Sequence, residues 1–248
     1  MPIHPDFAVQ SYCFRSIKDH GRVAEAVRQI GLSHLELCGA HDRFNDPDAF
    51  EKVVATYRDG GVTIQSIGVE TLEGDPQKDR LRFECARIAG CRHMSINFNP
   101  ATFDRAHPLA QQLAAEFDMQ LGIHNHGGRH WLGPAQMLAH IFEQTGDRIG
   151  LCLDTAWALD SHEDPVKMLE RFAPRVTAIH LKDFRFAPDR TPEDVVVGTG
   201  ALDLPGLVNT AQRIDFNGLT ILEYEGDVEN PVPALSHCVK AIREVLTG

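Results

Sequence analysis

Ile149-Gly-Leu-Cys-Leu-Asp154 and, one helix-length later, Val176-Thr-Ala-Ile-His-Leu181 are short apolar runs of the kind that form strands of a parallel sheet covered on both faces. Outward from this pair, similar runs recur at Leu121–His124, Met94–Phe98, Thr63–Ile67, His34–Leu37 and Phe7–Gln10 on the N-terminal side, and at Leu219–Leu222 on the C-terminal side. That makes eight candidate strands. The stretches between them carry helical spacing, as in Val23, Val27 and Ile30; Phe50, Val53 and Tyr57; Leu109, Leu113 and Phe117; and Ala234, Leu235, Cys238, Val239 and Ile242.

Asp46-Pro47 and Asp164-Pro165 read as an N-cap followed by proline at the first helical position, and Gly31 and Gly60-Gly61 read as stops. Strand starts fall roughly 30 residues apart up to the seventh, the spacing that eight βα units require. The exception is an enlarged loop from Asp183 to Asp203. The length alone would also fit two small domains, and an open doubly wound sheet alternates in the same way, but eight evenly spaced units favour closure. The expectation is a single (β/α)8 TIM barrel over residues 1–248.

Composition narrows the classes of function. With 43% apolar and 24% charged residues the chain has ordinary globular values. No apolar run is long enough to span a bilayer, and Met1 to Phe7 lacks the basic and apolar regions of a signal peptide, so a cytoplasmic protein without a membrane partner is expected. The net charge of −11 opposes phosphate backbones, so no nucleic-acid partner is expected. The six cysteines show no Cys-x-x-Cys spacing, and several lie in apolar stretches, so they read as reduced and mostly buried.

In a barrel, side chains at the C-terminal strand ends share one mouth however far apart they lie in the chain. The fifth strand closes on His124, the sixth on Asp154, the seventh carries His180 and the eighth leads into Glu223. Two imidazoles and two carboxylates suit one divalent metal ion with positions open to substrate oxygens. A single strand-end His or Asp is commonly only a hydrogen-bonding residue. The metal reading therefore depends on all four meeting.

The segments His124-Asn-His126, Leu153-Asp-Thr-Ala-Trp157, Ile179-His-Leu-Lys-Asp183, Val197-Gly-Thr-Gly-Ala-Leu-Asp203 and Asn217-Gly-Leu-Thr-Ile-Leu-Glu-Tyr-Glu225 resemble the xylose isomerase-like TIM barrel superfamily, in its sugar phosphate isomerase/epimerase group. The likeness is dense from Leu121 to Asp227 and looser before it, where Val9-Gln-Ser-Tyr and Leu35-Glu-Leu occupy matching strands. The resemblance implies a metal held by Asp154, His180 and Glu223, with the strand-five residue as fourth ligand; Mn²⁺ is the first choice, with Mg²⁺, Co²⁺ or Zn²⁺ as alternatives. Sugar epimerases of the group usually carry Glu at that fourth position, where it doubles as one of two opposed acid/base groups. His124 stands there instead, which puts a symmetric two-carboxylate mechanism in question.

The activity implied is isomerisation or epimerisation of a small sugar or keto-sugar, by proton abstraction next to a metal-bound carbonyl. A lyase acting on a keto-sugar or an oxidised glycoside is the alternative, and a non-catalytic sugar-binding protein is the alternative outside enzymes. Glu223 is the first candidate for moving the proton; Glu225, two residues on and expected on the same strand face, is the second. Lys182 alternates with His180 and could reach a substrate oxygen or form a core salt bridge. Glu36 and Glu70 are expected at the mouth, contacting sugar hydroxyls, with His126, Trp157 and Arg185 as further substrate-binding candidates. Trp131, His130 and Arg190 have weaker claims, and Gly198-Thr-Gly200 lacks the Lys-Ser/Thr ending of a P-loop and reads as a tight turn. A small-molecule sugar is the expected partner, and association into a homo-oligomer is open.

Overall fold

A computed structural model describes residues 3–247. Eight strands close into one parallel barrel: β1 (Ala8–Gln10), β2 (His34–Leu37), β3 (Thr63–Leu72), β4 (His93–Phe98), β5 (Gln120–His124), β6 (Ile149–Asp154), β7 (Val176–Leu181) and, after a two-stranded insertion, β10 (Leu219–Leu222). Each lies beside its sequence neighbours, and β1 pairs with β10 to close the ring. Every expected strand is therefore present, with β3 running on past Ile67 to Leu72.

The helices are α1 (His20–Gln29), α2 (Pro47–Asp59), α3 (Pro76–Ile88), α4 (Phe103–Glu116), α5 (Ala135–Gln144), α6 (Thr155–Asp160), α7 (Pro165–Arg171), α8 (Leu204–Arg213) and α9 (Val232–Thr247). They cover the outside of the barrel with the residues that carry the helical spacing: α1 buries Val23 and Val27, and α9 buries Leu235, Cys238, Val239 and Ile242. Because the helices cover the outer face and side chains fill the inside, all six residues of β6 are buried. The expected caps are in place. The Asp46 and Asp164 carboxylates accept backbone N–H bonds in the first turns of α2 and α7, while Gly31 and Gly61 take φ of 81° and 73° just past α1 and α2, where a side chain would be strained.

The enlarged loop contains a small antiparallel ribbon, β8 (Phe184–Phe186) and β9 (Pro192–Asp194). Its base is organised by Asp183. This buried carboxylate accepts backbone N–H bonds from Gly198 at 3.0 Å, Gly200 at 2.8 Å and Leu202 at 3.0 Å. The Gly-Thr-Gly turn thus wraps a side chain of the chain itself, as a cradle of N–H groups wraps an anion. All six cysteines are unbridged and buried. Trp131 donates its indole N–H to the Phe98 carbonyl and packs edge-on against Phe103, so its role is packing. Among the described residues, no helix is long and apolar enough to cross a membrane.

Candidate metal centre

The site is built where β5, β6, β7 and β10 end. Asp154 closes β6 and opens α6, so its two oxygens have separate tasks: Oδ1 accepts the Trp157 N–H at 2.7 Å as a helix cap. Oδ2 is buried and has no hydrogen-bond partner among the described residues. It faces His124 Nε2 at 3.4 Å. The Asp154 backbone is clamped by the buried amide of Asn125, which donates to Asp154 O at 2.9 Å and accepts from Asp154 N at 2.8 Å. His180 lies beside Asp154 in the β6–β7 ladder.

The His180 ring brings Nδ1 to 3.1 Å from His124 Nε2 and 2.7 Å from Glu223 Oε2. Glu223 follows β10 directly, its N–H held by the Leu181 carbonyl at 3.0 Å. One ligand atom from each of His124, Asp154, His180 and Glu223 lies within 4.8 Å of the other three, and all four residues are buried. The structure therefore brings the four expected ligands together.

Packing charged groups this closely has strong electrostatic consequences. Burial alone would push the His180 ring toward neutrality, but the acidic groups around it, Glu36 and Glu223 among them, hold its proton affinity well above the usual histidine value. His124 is likewise raised, burial being outweighed by Asp154 and Glu223. For Glu223 burial opposes charge, yet the Lys182 ammonium and the two imidazoles bring its pKa well below the usual carboxylate range. The cluster thus favours positive charge at its centre, and a carboxylate oxygen, Asp154 Oδ2, faces that centre without a hydrogen-bond partner among the described residues. This fits a divalent metal, whose binding would displace the ring protons. The donor set does not by itself choose among Mn²⁺, Co²⁺, Zn²⁺ and Mg²⁺.

Above the quartet opens a cavity of about 420 Å³, lined by Tyr12, Cys38, His126, Trp157, Glu223 and Glu225 among others. His126 and Trp157 are where the sequence expects them. The His126 Nδ1–H donates to the His124 carbonyl at 3.2 Å, and burial, with His124 and His130 close by, lowers the ring's pKa to about 3, so it is a neutral ring with Nε2 as acceptor. Glu225 also reaches the cavity, though not by strand alternation, since β10 stops at Leu222. It is positioned by Lys182, whose ammonium pairs with its carboxylate, and by Asp194 Oδ1, which accepts its backbone N–H at 3.1 Å.

Lys182 itself is fully buried, with Nζ 4.9 Å from the Trp157 ring centre and 5.4 Å from that of Phe184. It is the salt-bridge alternative, not the substrate-contact one, that matches this placement.

Three expectations need correction. Glu36 is not at the mouth: it is fully buried inside the barrel beneath the quartet, where Gln10, Ser66, Ser95 and His180 satisfy its carboxylate, so no sugar hydroxyl reaches it. Glu70 turns to Arg82 on α3, at 2.8 Å, and lines a neighbouring cleft with Arg43 and Lys78 instead of the cavity over the quartet. Arg185 is exposed on β8 and is not part of the cavity wall, because the ribbon holds it clear. The sequence gives no site role to Tyr12 and Asn125, which are not metal-ligand types, and Cys38 reads there only as a reduced, mostly buried thiol. The sequence reading also missed the polar residues Ser66, His93 and Ser95 inside the barrel, visible in the sequence only as breaks in the apolar runs of β3 and β4.

Comparison with known proteins agrees with this architecture. The chain is 28% identical to 3-oxo-isoapionate decarboxylase of Pectobacterium atrosepticum over 213 residues, covering 81% of this chain and 75% of that protein. It is 25% identical to inosose dehydratase of Geobacillus kaustophilus over 218 residues, covering 78% and 67%. With the rhizopine catabolism protein MocC of Rhizobium meliloti it shares 27% identity over 139 residues, half of this chain but only 42% of that protein. Among solved structures, a xylose isomerase-like TIM barrel protein from Mycobacterium smegmatis, in complex with magnesium, superposes with a TM-score of 0.79 at 15% identity, covering 98% of this chain and 96% of that one. A family profile described as xylose isomerase-like TIM barrel matches residues 24–245, and with the closed eightfold barrel this establishes that the chain belongs to the xylose isomerase-like TIM barrel family.

Proposed function

We propose that the chain is a divalent-metal-dependent enzyme that isomerises a small keto-sugar by moving a proton between neighbouring carbons. The observation that carries this reading is the convergence of His124, Asp154, His180 and Glu223 beneath a cavity whose wall holds one further carboxylate, Glu225. A divalent cation held by the four side chains supplies Lewis-acid chemistry to a substrate carbonyl. Glu225, steadied by Lys182, takes the proton from the hydroxyl-bearing carbon next to that carbonyl and returns it to the former carbonyl carbon, while the hydroxyl proton passes to the former carbonyl oxygen. Trp157 and Tyr12 offer flat faces to the C–H surface of a sugar, and His126 accepts a hydrogen bond from a hydroxyl. A single base suffices for transfer along one face of an enediol. Epimerisation by two opposed carboxylates finds less support, since among the described residues the acidic groups on the cavity wall are Glu223 and Glu225, and Glu223 belongs to the quartet.

A second reading, elimination, has a specific support: one of the relatives bears the name inosose dehydratase. The same proton abstraction would be followed by loss of a substituent from the next carbon. Incubation with a panel of small keto-sugars in deuterated water separates the outcomes. Isomerisation gives a deuterated product of otherwise unchanged composition; elimination gives a product lighter by the leaving group. In either case Glu225→Gln is expected to slow solvent exchange by about 100-fold or more, and exchange at the unsubstituted rate would remove Glu225 from the mechanism.

A further inference from the structure

The barrel interior beneath the quartet is polar, which is unusual for a layer that large aliphatic side chains ordinarily fill. Glu36 on β2 is fully buried there and collects hydrogen bonds from four elements of the barrel. Gln10 Nε2 on β1 donates to Oε1 at 2.6 Å, the Ser66 hydroxyl on β3 and the Ser95 hydroxyl on β4 each donate to Oε2 at 2.6 Å, and His180 Nε2 on β7 lies 2.9 Å from Oε1. A carboxylate only accepts, so the hydrogen in this last contact belongs to His180 Nε2. The same reasoning puts a hydrogen on Nδ1, 2.7 Å from Glu223 Oε2; that is the proton a cation would displace, and with Nε2–H held by Glu36 the Nδ1 lone pair would then face His124, Asp154 and Glu223. On the other side Ser66, its proton given to Glu36, accepts from His93 Nδ1 at 3.1 Å, and His93 Nε2 lies 3.0 Å from the Thr177 hydroxyl.

We propose that Glu36 is a positioning residue for the metal centre: through Nε2 it fixes the tautomer and the rotation of the His180 ring, so that Nδ1 is presented as a ligand. The inference rests on the metal reading above and extends it to a residue that touches neither substrate nor cation. Three observations agree. The contact joins a ring and a carboxylate both wholly shielded from water, the carboxylate is immobilised by donors from three other strands, and the Ser66 and Ser95 hydroxyls both donate to it. A ligating imidazole whose second nitrogen donates to a carboxylate is both oriented and made a stronger electron donor, and losing such a partner typically weakens metal binding by about 10- to 100-fold.

The test is titration of metal-free full-length protein with Co²⁺, following both heat and the visible d–d absorption, for the unsubstituted chain, Glu36→Gln and Glu36→Asp. The expected result is a dissociation constant about 10- to 100-fold higher for Glu36→Gln, an altered cobalt spectrum at saturation, and partial recovery of both in Glu36→Asp. Should Glu36→Gln not fold, Ser66→Ala and Ser95→Ala each remove one donor to the carboxylate and are expected to raise the constant severalfold while the barrel stays intact. Unchanged affinity and spectrum in the folded variants, with the unsubstituted protein binding one Co²⁺, would overturn the positioning role alone. If the unsubstituted protein takes up no cobalt, the metal reading fails and this inference with it.

Discussion

Asp154→Asn is expected to strip the protein of its divalent ion while leaving the barrel folded. The reason is the division of labour between the two carboxylate oxygens. Oδ1 caps α6 through the Trp157 N–H, a role that an asparagine carbonyl performs equally well. Oδ2 is the partnerless atom facing the quartet, and there the substitution removes the charge and can set an amide N–H₂ against the imidazoles. A lost ligand should weaken binding by at least as much as a lost outer partner, about 100-fold or more, and turnover should fall with it. The controls are thermal melts with and without metal. Metal-free forms of the variant and the unsubstituted chain should melt together, and added metal should raise only the latter, by about 2.7 kcal/mol at a hundredfold excess over its dissociation constant. Full metal occupancy in Asp154→Asn would contradict the assignment of Oδ2 as a ligand.

The second large effect concerns stability. Asp183→Ala removes a buried carboxylate that satisfies three backbone N–H groups of the 198–202 turn. An unpaired buried donor costs about 1–3 kcal/mol; Leu202 is buried, whereas Gly198 and Gly200 are exposed and water reaches their N–H groups, so a total of roughly 2–4 kcal/mol is expected. In a domain of this size that corresponds to a fall in melting temperature of roughly 10 °C. Hydrogen–deuterium exchange should rise first in residues 184–202. A variant that melts within a degree or two of the unsubstituted protein would mean that the loop is held by other contacts. Because Val195 N–H donates to the Asp183 carbonyl and Asp194 accepts the Glu225 N–H, loosening this loop is also expected to reach the catalytic side of the cavity.

The parts of the molecule that the sequence discloses are those where a local pattern and a global constraint coincide. Strands of a closed parallel barrel are buried on both faces and recur at a regular spacing, so β1 to β7 and β10 stand out from their apolar runs. The ribbon β8–β9 does not, because Phe184–Phe186 and Pro192–Asp194 contain arginine, proline and acidic residues and bury only part of their surface. The quartet is legible for a topological reason: a parallel barrel sends every strand's C-terminal end to one mouth, so His124, Asp154 and Glu223 had to converge with His180 once the strands were placed.

Depth and direction within the barrel were not legible in the same way. Glu36 pairs in register with Ser66 on β3, one layer below the mouth, a fact set by strand stagger and not by the sequence of β2. Glu70 follows a register shift between Ile67 and Glu70, which leaves it facing Arg82. Glu225 reached the cavity by a turn beyond β10 that strand alternation does not describe. The misplacements of Glu36 and Glu70 come from treating a strand as a straight two-sided ribbon, whereas neighbouring strands in a barrel are staggered and interrupted by bulges.

Anomalous diffraction from crystals grown with Mn²⁺ shows whether His124, Asp154, His180 and Glu223, distant in sequence, hold one cation between them. A single strong peak per chain is expected, roughly 2.0–2.3 Å from His124 Nε2, Asp154 Oδ2, His180 Nδ1 and Glu223 Oε2, distances typical of such ligands. A peak held by other residues, or none at this site when the crystals contain saturating metal, would contradict it.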